Sequence, residues 1–356
     1  MSRPAPARAQ LIDSIGWDET TASNLDFLKA TGVEGVIIRV PGHLADGGTH
    51  AEEFIALRKH VEAHGLELSV LHNGGLPKKS VVYGLDGREA EAHNWAQIVR
   101  GIGQAGVPLT ATTFQGIGHF RTPSAVGRGG ALLSTYRKAD LDANGGRDTE
   151  HGDRKHDAIT EAEMWTNLQW FYERVLPVAE EAGVRVCLHP DDPPVHDPLG
   201  GAARITSSIA QYHRIFDLVP SEANAMLFCQ GCVAEMGGDV AEAIHSVGTR
   251  NKIGVVHFRD IIGTPDDFIE VFIDEGQNDM LATMHAYKAV GFRGPFMMDH
   301  TPHLPAPFTH WHGHAYANGY IKALLKVSTG AGSRGCRSRR DGVGVKSPRD
   351  DAPTPP

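Results

Sequence analysis

EEAGVRVCLHP, residues 180–190, decides the fold. A charged, helix-favouring stretch runs into Gly183, the β-favouring run VRVCL follows at once, and a histidine and a proline close it. Glycine just past a helix adopts the left-handed cap conformation at little steric cost. The segment therefore predicts a helix that stops at Gly183 and a buried strand over 185–190. The same grammar recurs on both sides: KATGVEGVIIRV at Gly32, VEAHGLELSVLH at Gly65, IGQAGVPLTATTF at Gly106 and YKAVGFRGPFMMDH at Gly291. Such repetition describes alternating helices and strands around a parallel sheet.

Strands are expected at 11–16, 35–40, 67–73, 109–114, 185–190, 225–230, 253–258 and 295–299. Eight βα units point to a closed (β/α)8 TIM barrel as one domain over 11–327. An open Rossmann-like sheet would want a glycine-rich phosphate fingerprint after the first strand, and IGWDETTASN has none. Thr49 with Glu52, and Thr160 with Glu163, read as capping boxes that start helices. The helix over 161–182 has apolar positions at Met164, Leu168, Phe171, Val175, Val178 and Ala182, the helical period, with a kink expected at Pro177. Three stretches break the pattern. Residues 1–10 read as a disordered lead, 115–159 as a long Gly-, Arg- and Asp-rich loop, and 328–356 as a disordered tail ending in a proline-rich run.

The formal charge of -9 over 356 residues argues against nucleic acid as the main partner. No apolar run reaches the roughly 20 residues of a membrane helix. Four cysteines are too few for a disulfide framework in a chain this long and fit reduced thiols in a cytoplasmic protein.

Active sites of TIM barrels lie at the C-terminal ends of the strands. Four successive strands end at His189, Cys229, His257 and Asp299. All four are competent ligands for a divalent transition metal, and they lie about one βα unit apart in the chain, so barrel closure would make them neighbours. Thiolate and imidazole suit zinc on softness, whereas carboxylate and water suit manganese. Around them, Asp191 and Asp192 in HPDDPP are either partners orienting His189 or turn residues. Arg259 should emerge at the same rim, to clamp a substrate carboxylate or to form a structural ion pair. His300, next to Asp299, is a candidate general acid or base.

The run VLPVAEEAGVRVCLHPDDPP resembles the corresponding segment of the mannonate dehydratases, as do LFCQG, VVHFRD, DEGQNDM and the late DH pair. The resemblance is strong over about 160–300 and weaker over 11–115. It implies a TIM barrel with Mn2+, or alternatively Fe2+, Co2+ or Zn2+, on His189, Cys229, His257 and Asp299, and a catalytic His300. The implied reaction dehydrates D-mannonate to 2-keto-3-deoxy-D-gluconate in glucuronate catabolism. Two places depart from the family. Typical members carry a catalytic tyrosine some fifteen residues after the DH pair; in this chain the corresponding position falls near Pro307 or Phe308, which leaves Tyr316, His310 or His312 as substitutes. After strand four, FQGIGHFRT replaces the family's turn and brings His119 and Arg121 forward as substrate contacts. The expected partner is a small sugar acid, with a homo-oligomer as an open alternative. Alternative functions are a sugar isomerase or epimerase, dehydration of another aldonic acid, and a non-catalytic barrel that binds a sugar acid.

Overall fold

The computed structural model describes residues 8–144, 147–148 and 158–328. The expected lead and tail lie outside these residues, apart from the ends 8–10 and Ser328.

Thirteen strands are formed among the described residues: β1 (Gln10–Ile15), β2 (Gly35–Arg39), β3 (Glu67–His72), β4 (Leu109–Thr112), β5 (Phe120–Val126), β6 (Leu132–Arg137), β7 (Arg147–Asp148), β8 (Arg185–Leu188), β9 (Asn224–Cys229), β10 (Ile253–His257), β11 (Ile261–Thr264), β12 (Asp267–Glu270) and β13 (Pro295–Met297). Eight of them close a barrel in the order β1-β13-β10-β9-β8-β4-β3-β2. These are the eight expected strands. The five glycines of the repeated grammar all have positive φ, between 67° and 91°.

Side chains alternate along a strand between two environments. Ile12, Ile37, Val70, Ala111, Cys187, Leu227, Val255 and Met297, one from each barrel strand, pack together inside the barrel. The other parity packs against the surrounding helices in a larger cluster. The helix Glu161–Ala182 buries Met164, Leu168, Phe171 and Val175. Its stripe then moves to Ala179, while Val178 and Ala182 are half-buried. Pro177 lies on the exposed side and does not end the helix.

Two expectations are corrected. The capping box at Thr160 and Glu163 forms, but the one at Thr49 and Glu52 does not. The helix Ala51–Ala63 starts after His50, which has φ 51° and ties its ring to Asp46 and Glu53 instead. The stretch 115–159 is no bare loop where it is described. β5 and β6 form an antiparallel hairpin, and β6 pairs with β12, giving a second sheet of order β11-β12-β6-β5-β7. This sheet draws on the chain after β4 and the chain after β10, and it stands beside the rim where the barrel strands end.

Candidate metal centre and its surroundings

Alternation along the strands builds the site. Two residues beyond each interior side chain stands a rim residue with the same inward direction. Going round the chain these are Ser14, Arg39, His72, Thr113, His189, Cys229, His257 and Asp299. The last four offer ligand atoms that all lie within 4.8 Å of one another. Ser14, Arg39, His72 and Thr113 join His189, His257, Asp299, His119, His300, His310 and His314 around a cavity of about 480 Å³.

The donor set fits a cation. His189 donates Nδ1–H to the Pro190 carbonyl at 2.7 Å, which leaves Nε2 as its free donor atom. His257 is buried, and neither ring nitrogen makes a hydrogen bond, although Nδ1 lies 2.9 Å from Asp299 Oδ1. Unpaired buried polar atoms are costly, and a metal ion would satisfy one of the two, since an imidazole offers a single ligand atom to a given ion. Burial alone would raise the Cys229 thiol. The Cys232 hydrogen bond, the Arg259 charge and the His189 and His257 rings override it and hold Cys229 well below the usual thiol range. Burial would likewise raise Asp299, but His257, His300 and Arg259 hold it low. His257 is raised to about 9 against its burial, because Asp299 and Cys229 press negative charge on it. Asp299 has φ 70°, a conformation that costs a non-glycine residue on the order of 1–3 kcal/mol and clusters at functional sites.

A buried ionic layer supports the ligands. Arg259 donates Nε–H to Asp299 at 3.0 Å, and its terminal nitrogens donate to Glu235 at 2.9 Å, Asp192 at 3.2 Å and the Cys232 sulfur at 3.3 Å. Gly231 makes room for it, since a Cβ there would lie 2.3 Å from Arg259 Nη1. Arg121 donates to Asp192 at 2.7 Å, to Glu270, to Ser134 and to the Phe120 carbonyl. Burial disfavours the Asp192 charge, yet the two guanidinium groups hold this carboxylate well below its usual range.

The expected substrate contacts are therefore re-sorted. Arg259 and Arg121 are buried with their donors engaged by carboxylates, so the clamp reading gives way to the structural ion pair for Arg259, and Arg121 plays the same part. His119 faces the cavity, its ring edge-on to His189 at 5.9 Å. Asp191 fixes the turn by accepting from Thr206 N–H and Arg204, and it is the Pro190 carbonyl that orients His189. His300 lines the cavity, with Nδ1 3.1 Å from Glu270 and Nε2 3.5 Å from Asp299. Tyr316 is not brought to it: its ring is 46% exposed, stands edge-on to Phe272 and sits beside Arg128 and Asp274. His312 stays at the helix start against Thr309, while His310 reaches the cavity wall.

Glu270, Glu235 and Cys232 were not anticipated, because nothing in their local spacing marks them. The DEGQNDM motif proves architectural. Asn278 binds Asp260, Gln277 accepts from Gly263 N–H, and Asp279 caps the helix Met280–Ala289.

The family model for D-mannonate dehydratase (UxuA) matches residues 147–328. The mannonate dehydratase of Enterococcus faecalis is 30% identical over 301 residues, covering 76% of this chain and 82% of that protein. Mannonate dehydratase 2 of Halalkalibacterium halodurans is 26% identical over 300 residues, covering 78% and 86%. The crystal structure of mannonate dehydratase from Streptococcus suis serotype 2 matches with a TM-score of 0.80 at 25% identity, covering 92% of this chain and 97% of that one. With a closed barrel of the same architecture and a sequence match that spans the rim residues from His189 to Asp299, the chain belongs to the D-mannonate dehydratase family.

Proposed function

We propose that this protein dehydrates D-mannonate to 2-keto-3-deoxy-D-gluconate, with a divalent ion, Mn2+ first among the choices, held by His189, Cys229, His257 and Asp299. The observation that carries the reading is the convergence of these four donor atoms at one barrel rim in a chain of this family. The C2 proton of an aldonate is weakly acidic, because its removal adds charge beside a carboxylate. A bound divalent ion supplies Lewis acidity toward that developing charge. The residues of the chain do the rest. Arg39, the arginine that lines the cavity opposite the ligands, is placed to hold the substrate carboxylate. His300 is placed to protonate the departing C3 hydroxyl. Arg259 and Glu270 hold Asp299 and His300 in place. Work on a hexuronate-derived acid fits a cytoplasmic enzyme, and no described helix is long and apolar enough to cross a membrane.

A keto-acid assay with D-mannonate and Mn2+ tests this directly. Product is expected, with loss on chelation and recovery on adding metal. An absence of product with Mn2+, Fe2+, Co2+ and Zn2+ alike would overturn the assignment.

A further inference from the structure

Removal of a C2 proton and departure of a C3 hydroxyl need two proton-transfer groups. His300 is one. Near the tyrosine position expected from the family the chain carries Pro307 and Phe308, and Tyr316 faces elsewhere. We propose that His314, positioned by Asp13, is the second group and takes the proton from C2. The inference rests on the dehydratase reading and deepens it.

The pair is built into the fold. Asp13 lies on β1 one residue past the interior Ile12, so it faces the helix His310–Ser328 rather than the barrel centre. It is fully buried. Its Oδ1 accepts from His314 Nδ1 at 3.1 Å and from the Ser14 N–H at 2.7 Å, and its Oδ2 accepts from Asn318 at 2.7 Å. His314 and Asn318 lie one helical turn apart and present both donors to one carboxylate. A carboxylate that accepts from Nδ1–H fixes the tautomer, leaves the lone pair on Nε2 and stabilises the imidazolium formed when Nε2 takes a proton. Nε2 makes no hydrogen bond among the described residues. The ring lines both the cavity over the ligands and a neighbouring cavity of about 430 Å³, and His300 lines the same two. His310 also reaches both cavities but lies tilted against Trp311 at 4.6 Å and has no carboxylate partner among the described residues.

The proton bookkeeping closes. His314 Nε2 takes the C2 proton, and the C2–H electron pair is first held by the substrate carboxylate as an enediolate; it then forms the C2=C3 bond as the C3–O bond breaks with its pair. His300 gives its proton to that oxygen, which leaves as water. In ketonisation the enol O–H returns a proton to His300, and the His314 imidazolium delivers one to C3. Both rings are restored, and the net change is loss of one water.

The experiment uses the full chain loaded with Mn2+, with D-mannonate in D2O followed by NMR, and the variants H314N, H314Q, H300N and D13N, each checked for an unchanged melting curve. H314N and H314Q are expected to lose at least ~100-fold in both product formation and deuterium exchange at C2. H300N is expected to lose product and keep C2 exchange. D13N is expected to lower kcat with KM little changed. In the metal-free protein, 15N shifts are expected to put the His314 proton on Nδ1, and D13N to disperse it between the two nitrogens. A folded H314N or H314Q that keeps C2 exchange within about threefold of wild type overturns the proposal. So does a wild-type His314 protonated on Nε2, a readout that stands even if the variants fail to fold. Wild-type protein that exchanges C2 without releasing water overturns the dehydration reading instead, and the H314N comparison of exchange still decides the base.

Discussion

Arg259 offers a planar fork of donors, and three carboxylates and a sulfur take it up. Lysine is a point charge on a flexible stem and cannot serve them together. Arg259→Lys should leave buried carboxylates uncompensated, at a cost of roughly 3–5 kcal/mol, read as a lower midpoint in urea unfolding followed by circular dichroism. It should also release Asp299 and lower the metal bound per chain, measured by elemental analysis. Gly231→Ala should move in the same direction, because the added methyl displaces the same guanidinium. At this scale the clustering of the four proposed ligands is legible in the sequence and that of their supports is not. His189, Cys229, His257 and Asp299 each stand two residues past an apolar side chain of their own strand, a local signal. The partners of Arg259 come from the turns and helix that follow β8 and β9 and from the end of β13, and no spacing within the chain announces that they meet. Tyr316 drew attention as a tyrosine in the right part of the chain, but helix geometry turns it toward Phe272 and Arg128.

Among the elements, the helix Ala51–Ala63 shows how a side-chain pattern can mislead. Thr49 and Glu52 have the letters of a capping box, yet His50 takes the cap position in a left-handed conformation. Burial disfavours charge on His50, but Asp46 and Glu53 outweigh it and raise its pKa. A raised folded-state value gives stability that is full below the unfolded value of about 6.5 and is lost as pH rises through the folded one. His50→Asn keeps a residue tolerant of positive φ. It should therefore be less stable than wild type at pH 6, and the gap should narrow by pH 9, as read from paired thermal melts. The second sheet was missed for a related reason. Its hairpin carries Gly127, Gly129 and Gly130 with Arg128 at the turn, a composition that reads as loop. Its pairing partner, β12, lies about 130 residues further along the chain. Periodicity reports local geometry and is blind to such a pairing.

For the whole molecule, the proposed ligands come from four strands, so metal binding would be one event with barrel closure. An ion that binds only the folded chain stabilises it by about 2.7 kcal/mol at a hundred times its dissociation constant. Mn2+ should raise the melting temperature of wild-type protein in differential scanning calorimetry, and EDTA should reverse the gain. Cys229→Ser, a harder and less acidic donor, should shrink that metal-dependent rise well below the wild-type value while leaving the metal-free melt close to wild type. The barrel itself was readable because a repeated unit states its own architecture several times over.

The pairing of β6 with β12 also sets an order in time. The helices form locally, whereas this ladder must close a chain segment of some 130 residues and the β1–β13 pair that shuts the barrel one of some 285, both entropically slow. Arg121 arrives on β5, the hairpin partner of β6, and Glu270 at the end of β12. During refolding, helix content should thus return ahead of the buried ionic layer, and the chain would pass through a stage that has its helices but not the partners that hold Asp299 and His300. A newly made molecule therefore carries its helices before its rim is competent.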